Sequence, residues 1–253
     1  MCGRFVSTSP PDQVAAYFGA DVAVDTLGEN YNVAPTHDVY GVVAPRDDPQ
    51  GQPRLEAFHW GLVPSWAKDR KIASRMINAR SETLAEKPAF KGLLKKKRLL
   101  IPMDGFYEWK AGVAGGPVTA KGKPAKQPMF IHRTDHGPLA VAGLWTAWKD
   151  EATAVDGAAA QWLLSATLIT TAANPTMSDV HDRMPVLVPA SRWGEWLDPA
   201  NDDIDALSTL FDMSEDTSLT MHPVSTEVNS VRNNRADLIE VVDPDAPDPT
   251  KLL

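Results

Sequence analysis

The sequence predicts an α+β fold: one domain with a mainly antiparallel, barrel-like β-sheet core flanked by helices. Three observations lead there. Nine short apolar segments recur between Gly, Pro and Asp turn residues, at strand length rather than helix length. Helical pieces are few, and they do not alternate strictly with the strands as a parallel α/β sheet would require. The composition is that of an ordinary globular chain, with 253 residues, 43% hydrophobic, 23% charged and 8% aromatic.

Along the chain, Ser9-Pro10-Pro11-Asp12 followed by QVAAYFG reads as a capped first helix with proline in its first turn. Strands are expected at residues 39–44, 55–60, 99–103, 129–132, 139–144, 163–170, 185–188, 219–224 and 238–242. Helices are expected at 81–97, interrupted by Pro88, and at 191–196 and 203–213. Residues 111–127, rich in Gly, Lys and Pro, and 149–160, rich in Ala, Asp and Gly, read as loops leaving the core. The domain is expected to run over 1–242. The acidic tail 243–253 has little to bury and reads as disordered. For the tryptophans at 145, 148, 162, 193 and 196, core packing is the expectation.

No apolar run approaches the ~20 residues that a membrane helix needs. The opening MCGRFVSTSPPDQ lacks the apolar stretch of a signal peptide, so a cytoplasmic protein is expected. One cysteine permits neither an intramolecular disulfide nor a cysteine-rich zinc site. No motif calls for a cofactor or metal. The net charge of −8 speaks against a nucleic-acid partner, but its distribution does not. Residues 68–98 hold eleven Lys/Arg against three Asp/Glu, and residues 198–253 hold three against thirteen. Fields are local on the ~8 Å screening length, so a basic face can work on an acidic protein. A solvated helical face explains the same run equally simply.

The only cysteine directly follows the initiator Met. Cysteine is small enough for that Met to be trimmed, which would leave Cys2 with a free α-amine beside its thiol. The amine titrates near ~7.7–8 and the thiol near ~8.5, and positive charge from Arg4 would raise the thiolate fraction. The thiol can attack an acyl carbon with the amine as base. Alternatively, the amine can condense with an aldehyde and the thiol close a five-membered thiazolidine, a reaction open only to a 1,2-aminothiol. A small residue packed near a buried terminus remains the plain alternative.

Six further segments follow MCGRF in order: YNVAPT (31–36), WGLVPSW (60–66), INARSET (77–83), IPMDGFYEWK (101–110), HDRMPVLV (181–188) and HPVSTEVNSV (222–231). Together they closely resemble the SOS response-associated peptidase (SRAP) family, whose members covalently capture abasic sites in single-stranded DNA. The resemblance runs from residue 2 to about 239. It implies a processed Cys2 that forms a thiazolidine with the ring-opened deoxyribose. Asn78 would bond near the reacting sugar, with Glu108 as acid/base group and His181 matching the family's histidine of the HDRMP motif. It implies phosphate-binding Arg4, Arg80 and Arg183, and a DNA path lined by Asn32, Pro35 and Trp66. The implied partner is abasic single-stranded DNA, met by a monomer that crosslinks to the lesion, shields it from strand cleavage and slowly releases itself.

The residue types suit those roles. Opening the hemiacetal of an abasic sugar needs proton transfer, which a carboxyl group in a partly apolar setting supplies near neutrality. Phe106, Tyr107 and Trp109 flank Glu108 and are expected to provide that setting, although a solvated Glu108 between strand aromatics fits the sequence too. Histidine exchanges protons near pH 7, though His181 also reads as a surface residue beside Asp182. Asn78 can donate to a sugar oxygen or serve as a turn residue. Guanidinium groups grip phosphates, and a tryptophan stacks on any base. Two other functions use the same residues. A thiol peptidase would use Cys2 as nucleophile, with only Met1 to remove from itself. A non-catalytic single-strand binder would use the basic run and Trp66.

Overall fold

Apolar runs long enough to be covered on both faces form the centre of this protein, and shorter, more polar strands hang from their edges. The computed structural model describes residues 2–48, 50–112, 118, 121, 122, 124–154, 159–213 and 216–244. Its strands are β1 (Phe5–Ser7), β2 (Asp21–Val22), β3 (Asn30–Val33), β4 (Asp38–Val43), β5 (Arg54–Trp60), β6 (Asn78–Arg80), β7 (Arg98–Met103), β8 (Gly105–Lys110), β9 (Gln127–Arg133), β10 (Leu139–Asp150), β11 (Gln161–Ala172), β12 (Arg183–Pro185) and β13 (Leu219–Pro223). The α-helices are α1 (Pro11–Phe18), α2 (Pro88–Lys96), α3 (Pro175–Ser178), α4 (Trp193–Leu197) and α5 (Ile204–Ser208).

Five strands close on themselves. β4 pairs antiparallel with β5 and β7, β7 with β10, and β10 with β11. β11 then returns to β5 in parallel at Ser165↔His59 and Ala166↔Trp60. Closure removes the open edges of these strands. Every residue of β7 is buried, which is why RLLIPM reads as a continuous apolar run rather than an alternating one. Beyond β5, the same edge of β11 takes β6 in parallel at Leu168↔Asn78 and Thr170↔Arg80. Antiparallel β12 pairs at Ala172↔Arg183.

An antiparallel five-stranded sheet, ordered β13-β9-β8-β1-β3, packs on this barrel. Strand alternation gives it two apolar faces. Phe5, Phe106 and Ile131 join Cys2 in the main core, whereas Val6, Tyr107 and Phe130 face the other way. That second face is covered by Val224, Val228 and Leu238 of the C-terminal segment. The architecture is therefore the mixed α+β, mainly antiparallel barrel and sheet that the sequence predicts, with parallel pairings only where β2, β5, β6 and β11 meet.

Several local expectations change. α1 has Pro10 at its N-cap and no side-chain cap, because the Ser9 hydroxyl donates to Asp104 instead. The expected helix over 81–97 is a 3-10 turn (Ser81–Thr83) followed by α2. Pro88 stands in the first turn of α2 and so begins that helix rather than interrupting one. Helices expected at 191–196 and 203–213 are likewise α4 and α5 joined to 3-10 turns. The strand expected at 238–242 is a 3-10 turn, Ala236–Ile239, whose one fully buried anchor is Leu238. Lys149 and Asp150 extend β10 opposite Trp162 and Gln161. Residues 155–158, most of 113–123 and the tail 245–253 lie outside the described residues. Trp145, Trp148 and Trp196 are buried and Trp193 stacks on Phe18 at 4.6 Å. Trp162 is 65% exposed, against the core position expected for it. Among the described residues no helix is long and apolar enough to cross a membrane.

Candidate active site

Cys2 is carried into the core by the strand that follows it. β1 lies between β8 and β3, with Phe5 opposite both Phe106 and Val33. The Tyr107 N–H donates to the Arg4 carbonyl at 2.9 Å. Asp104 anchors the far end of β1, accepting from Thr8 N–H (2.6 Å), the Thr8 hydroxyl (2.7 Å) and the Ser9 hydroxyl (3.1 Å). Running antiparallel, β1 and β8 bring residue 2 beside the stretch around Glu108. Both side chains are buried, and the Glu108 charge acts directly on the Cys2 thiol.

That environment reverses one expectation. Burial pushes the Cys2 thiol far above its ordinary value, and the Glu108 charge pushes it in the same direction. The positive charge of the N-terminus and, less strongly, the Arg4 backbone N–H oppose them without prevailing. Arg4 does not supply a thiolate-stabilising charge, because its guanidinium points elsewhere. It donates to Asn32 Oδ1 (2.7 Å) and the Val228 carbonyl (2.9 Å), and lies 5.8 Å from the Trp109 ring centre. The aromatic setting of Glu108 is also narrower than the sequence suggests. Phe106, two residues away, shares its face, while alternation sends Tyr107 and Trp109 to the opposite face.

Asn78, the first residue of β6, donates from Nδ2 to the Cys2 carbonyl at 2.8 Å. Its Oδ1 is buried with no hydrogen-bond partner among the described residues. A buried acceptor left open costs free energy, so this oxygen has the capacity to take an incoming donor. Arg80, two residues on and so on the same side of β6, is exposed. His181 precedes β12. Its Nδ1 accepts from the Arg183 N–H at 3.0 Å and lies 2.8 Å from Asp182 Oδ1. A bare Nδ1 serves the first contact and a protonated one the second, so the two compete for one atom.

The remaining expected DNA contacts divide by exposure. Arg183 is buried. Its two terminal nitrogens fork the Glu82 carboxylate, Nη1 on Oε1 and Nη2 on Oε2 at 3.0 Å, and Nη2 also donates to the Thr170 carbonyl at 2.6 Å. Asn32 is buried too, its amide shared among the carbonyls of Val228 (3.3 Å), Ser230 (3.0 Å) and Asn233 (2.9 Å). Both side chains are thus spent on the protein's own framework in this structure. Pro35 is half-buried in the turn after β3. The next residue, Thr36, has φ +75°, an uncommon conformation for a β-branched residue, held by its N–H on the Trp60 carbonyl at 2.8 Å. Trp66 is 64% exposed beside a depression of about 530 Å³ that Lys68, Lys71 and Arg75 also line.

The structure adds Asp104 and Glu82 to the residues that shape the site. Both stand inside the motifs singled out above, but motif membership does not say which side chain an acid will hold. Among the described residues no group of three His, Cys, Asp or Glu side chains is arranged to hold a metal ion.

Comparison with known proteins bears on this arrangement. The family described as SOS response associated peptidase (SRAP) matches residues 1–231. The chain is 40% identical over 243 residues to the abasic site processing protein YoqW of Bacillus subtilis, covering 95% of this chain and 99% of that one. It is 28% identical to the abasic site processing protein YedK of Escherichia coli, covering 96% and 100%. It is 29% identical to the abasic site processing protein HMCES of Xenopus tropicalis, covering 96% and 78%. A solved structure from Bacteroides thetaiotaomicron superposes with a TM-score of 0.79 at 22% identity, over 95% of this chain and all of that one, and so shares its fold.

Proposed function

The chain belongs to the SOS response associated peptidase family, and from that membership and the setting of Cys2 we propose that it captures abasic sites in single-stranded DNA as a covalent thiazolidine. The carrying observation is the pairing of Asn78 Nδ2 with the Cys2 carbonyl, at a residue buried, like Glu108, where β1 and β8 pair. Removal of Met1 frees the α-amine at that held position. The amine nitrogen adds to the aldehyde carbon of the ring-opened deoxyribose, and the resulting carbinolamine loses water to an imine. Sγ then adds to the same carbon, the thiol proton passing to the imine nitrogen. One water is released overall, and the ring that forms contains carbon, nitrogen and sulfur.

The protonated thiol gives this sequence its order. A thiol held above its ordinary range is a poor first nucleophile, so the amine attacks first and sulfur closes the ring with the help of a base. Glu108 and His181 are the proton carriers, for opening the sugar ring, for closure and for slow reversal. The same thiol weighs against a thiol peptidase, which needs a thiolate. Exposed Arg80 meets phosphates, Pro35 borders the strand's path and Trp66 stacks on a base, while Arg4, Asn32 and Arg183, expected from the sequence to touch DNA, hold the framework behind them. Single strands suit this chemistry, because a missing base leaves the sugar carbon open without extrusion from a duplex. The protein works as a cytoplasmic monomer and shields the lesion from strand cleavage.

The test is direct. Purified protein forms an SDS-stable species with abasic single-stranded DNA but not with intact DNA, and Cys2→Ala abolishes it. Normal crosslinking by Cys2→Ala, or active preparations whose intact mass still includes Met1, would overturn the proposal. Salt-sensitive binding indifferent to the lesion would instead identify a passive single-strand binder.

A further inference from the structure

Glu82 stands outside the proposed chemistry, yet its contacts lead to His181. It follows Asn78 by four residues, in the 3-10 turn Ser81–Thr83 that leaves β6. Its carboxylate takes both terminal nitrogens of Arg183 in a fork, with the Nη2–Oε2 contact at 3.0 Å. Arg183 is fixed further by Nη2 on the Thr170 carbonyl at 2.6 Å, and its backbone pairs with Ala172 as the first residue of β12. A two-point fork sets orientation as well as distance, which a single charge contact does not. What it orients is the start of β12, and there the Arg183 N–H points at His181 Nδ1, 3.0 Å away.

Asp182 supplies the competing arrangement, with its Oδ1 2.8 Å from the same Nδ1. An N–H donor at Nδ1 selects a bare Nδ1 and puts the ring proton on Nε2. A carboxylate at Nδ1 selects the opposite tautomer in the neutral ring. The choice depends on whether the Arg183 backbone is held where its N–H reaches the ring. We propose that Glu82 is a positioning residue that, through Arg183, sets the tautomer of His181 so that Nε2 carries the exchangeable proton. The inference rests on His181 as a proton carrier in the proposed reaction, while the tautomer itself is measured without DNA.

Nitrogen-15 NMR of the histidine rings is the primary measurement, with His181→Ala used to assign the His181 signals. In the wild-type protein the neutral ring shows a bare Nδ1 and a protonated Nε2, and Glu82→Gln moves population toward a protonated Nδ1. Crosslinking to abasic single-stranded DNA supplies the second. Glu82→Gln slows it about tenfold in the wild-type background, a loss within the range for contacting residues, and leaves the rate unchanged in His181→Ala. A merely structural role would cost the same factor in both backgrounds. Should Glu82→Gln not fold, Arg183→Lys opens the fork from the other side and is read in the same two ways. An unchanged tautomer, or equal losses in both backgrounds, overturns the proposal. Failure of the wild-type protein to crosslink overturns only the proposed function, since the ring measurement stands alone.

Discussion

Asn78 holds Cys2 by its backbone, not by its thiol: Nδ2 donates to the Cys2 carbonyl at 2.8 Å and leaves both Sγ and the α-nitrogen for chemistry. Two segments 76 residues apart are joined at Cys2 by one hydrogen bond. Asn78→Ala should cost about 1 kcal/mol of stability. It should lower the crosslinking rate by more than that bond's equivalent of roughly fivefold, because Cys2 loses its orientation. Chemical denaturation and single-turnover crosslinking compare the two.

The buried thiol makes stability fall on the alkaline side. In the folded protein Cys2 stays protonated well above its ordinary 9.0, whereas in the unfolded chain it ionises there. As pH rises through 9 the unfolded state loses a proton that the folded state keeps, so unfolding becomes easier. Cys2→Ala should flatten this decline between pH 8 and 10. Tyr107, likewise raised by burial, takes over above its ordinary 10.0. Denaturation midpoints against pH, wild type beside variant, check the sign.

Gly105 opens β8 where no side chain fits. A Cβ there would stand 2.4 Å from Phe130 Cζ and 2.7 Å from the Ile131 carbonyl oxygen. Gly105→Ala should destabilise the protein by about 1–3 kcal/mol, as overpacking does. Equal stability by denaturant titration would show that Phe130 can move aside.

Trp66 touches little of its own protein. Trp66→Ala should leave the melting temperature unchanged and weaken binding to intact single-stranded DNA about tenfold, within the range for one stacked base. Fluorescence titration at fixed salt measures the loss.

The barrel strands were legible because their signals are local. β7 and the middle of β11 are apolar runs between turn residues, and burial on both faces followed from that pattern. β1, β3 and β6 are three or four residues long, and their pairing comes from distant partners, so no periodicity announced them. The stretch 238–242 looked like a strand because Leu238, Ile239, Val241 and Val242 are apolar. Only the packing of Leu238 under the second sheet made it a turn.

By itself the sequence determined the chemistry on offer: a cysteine behind a removable Met, a carboxylate among aromatics, an asparagine, a histidine and a set of arginines in ordered motifs. Residue type and order along the chain suffice for that. Tertiary structure alone decided what each group does with its capacity. It kept the Cys2 thiol protonated, turned Arg183 onto Glu82 and Asn32 onto the C-terminal segment, and left Arg80 and Trp66 facing outward. The physical reason is that desolvation and hydrogen-bond partners are set by what packs against a group, and those neighbours come from 28 to 201 positions away.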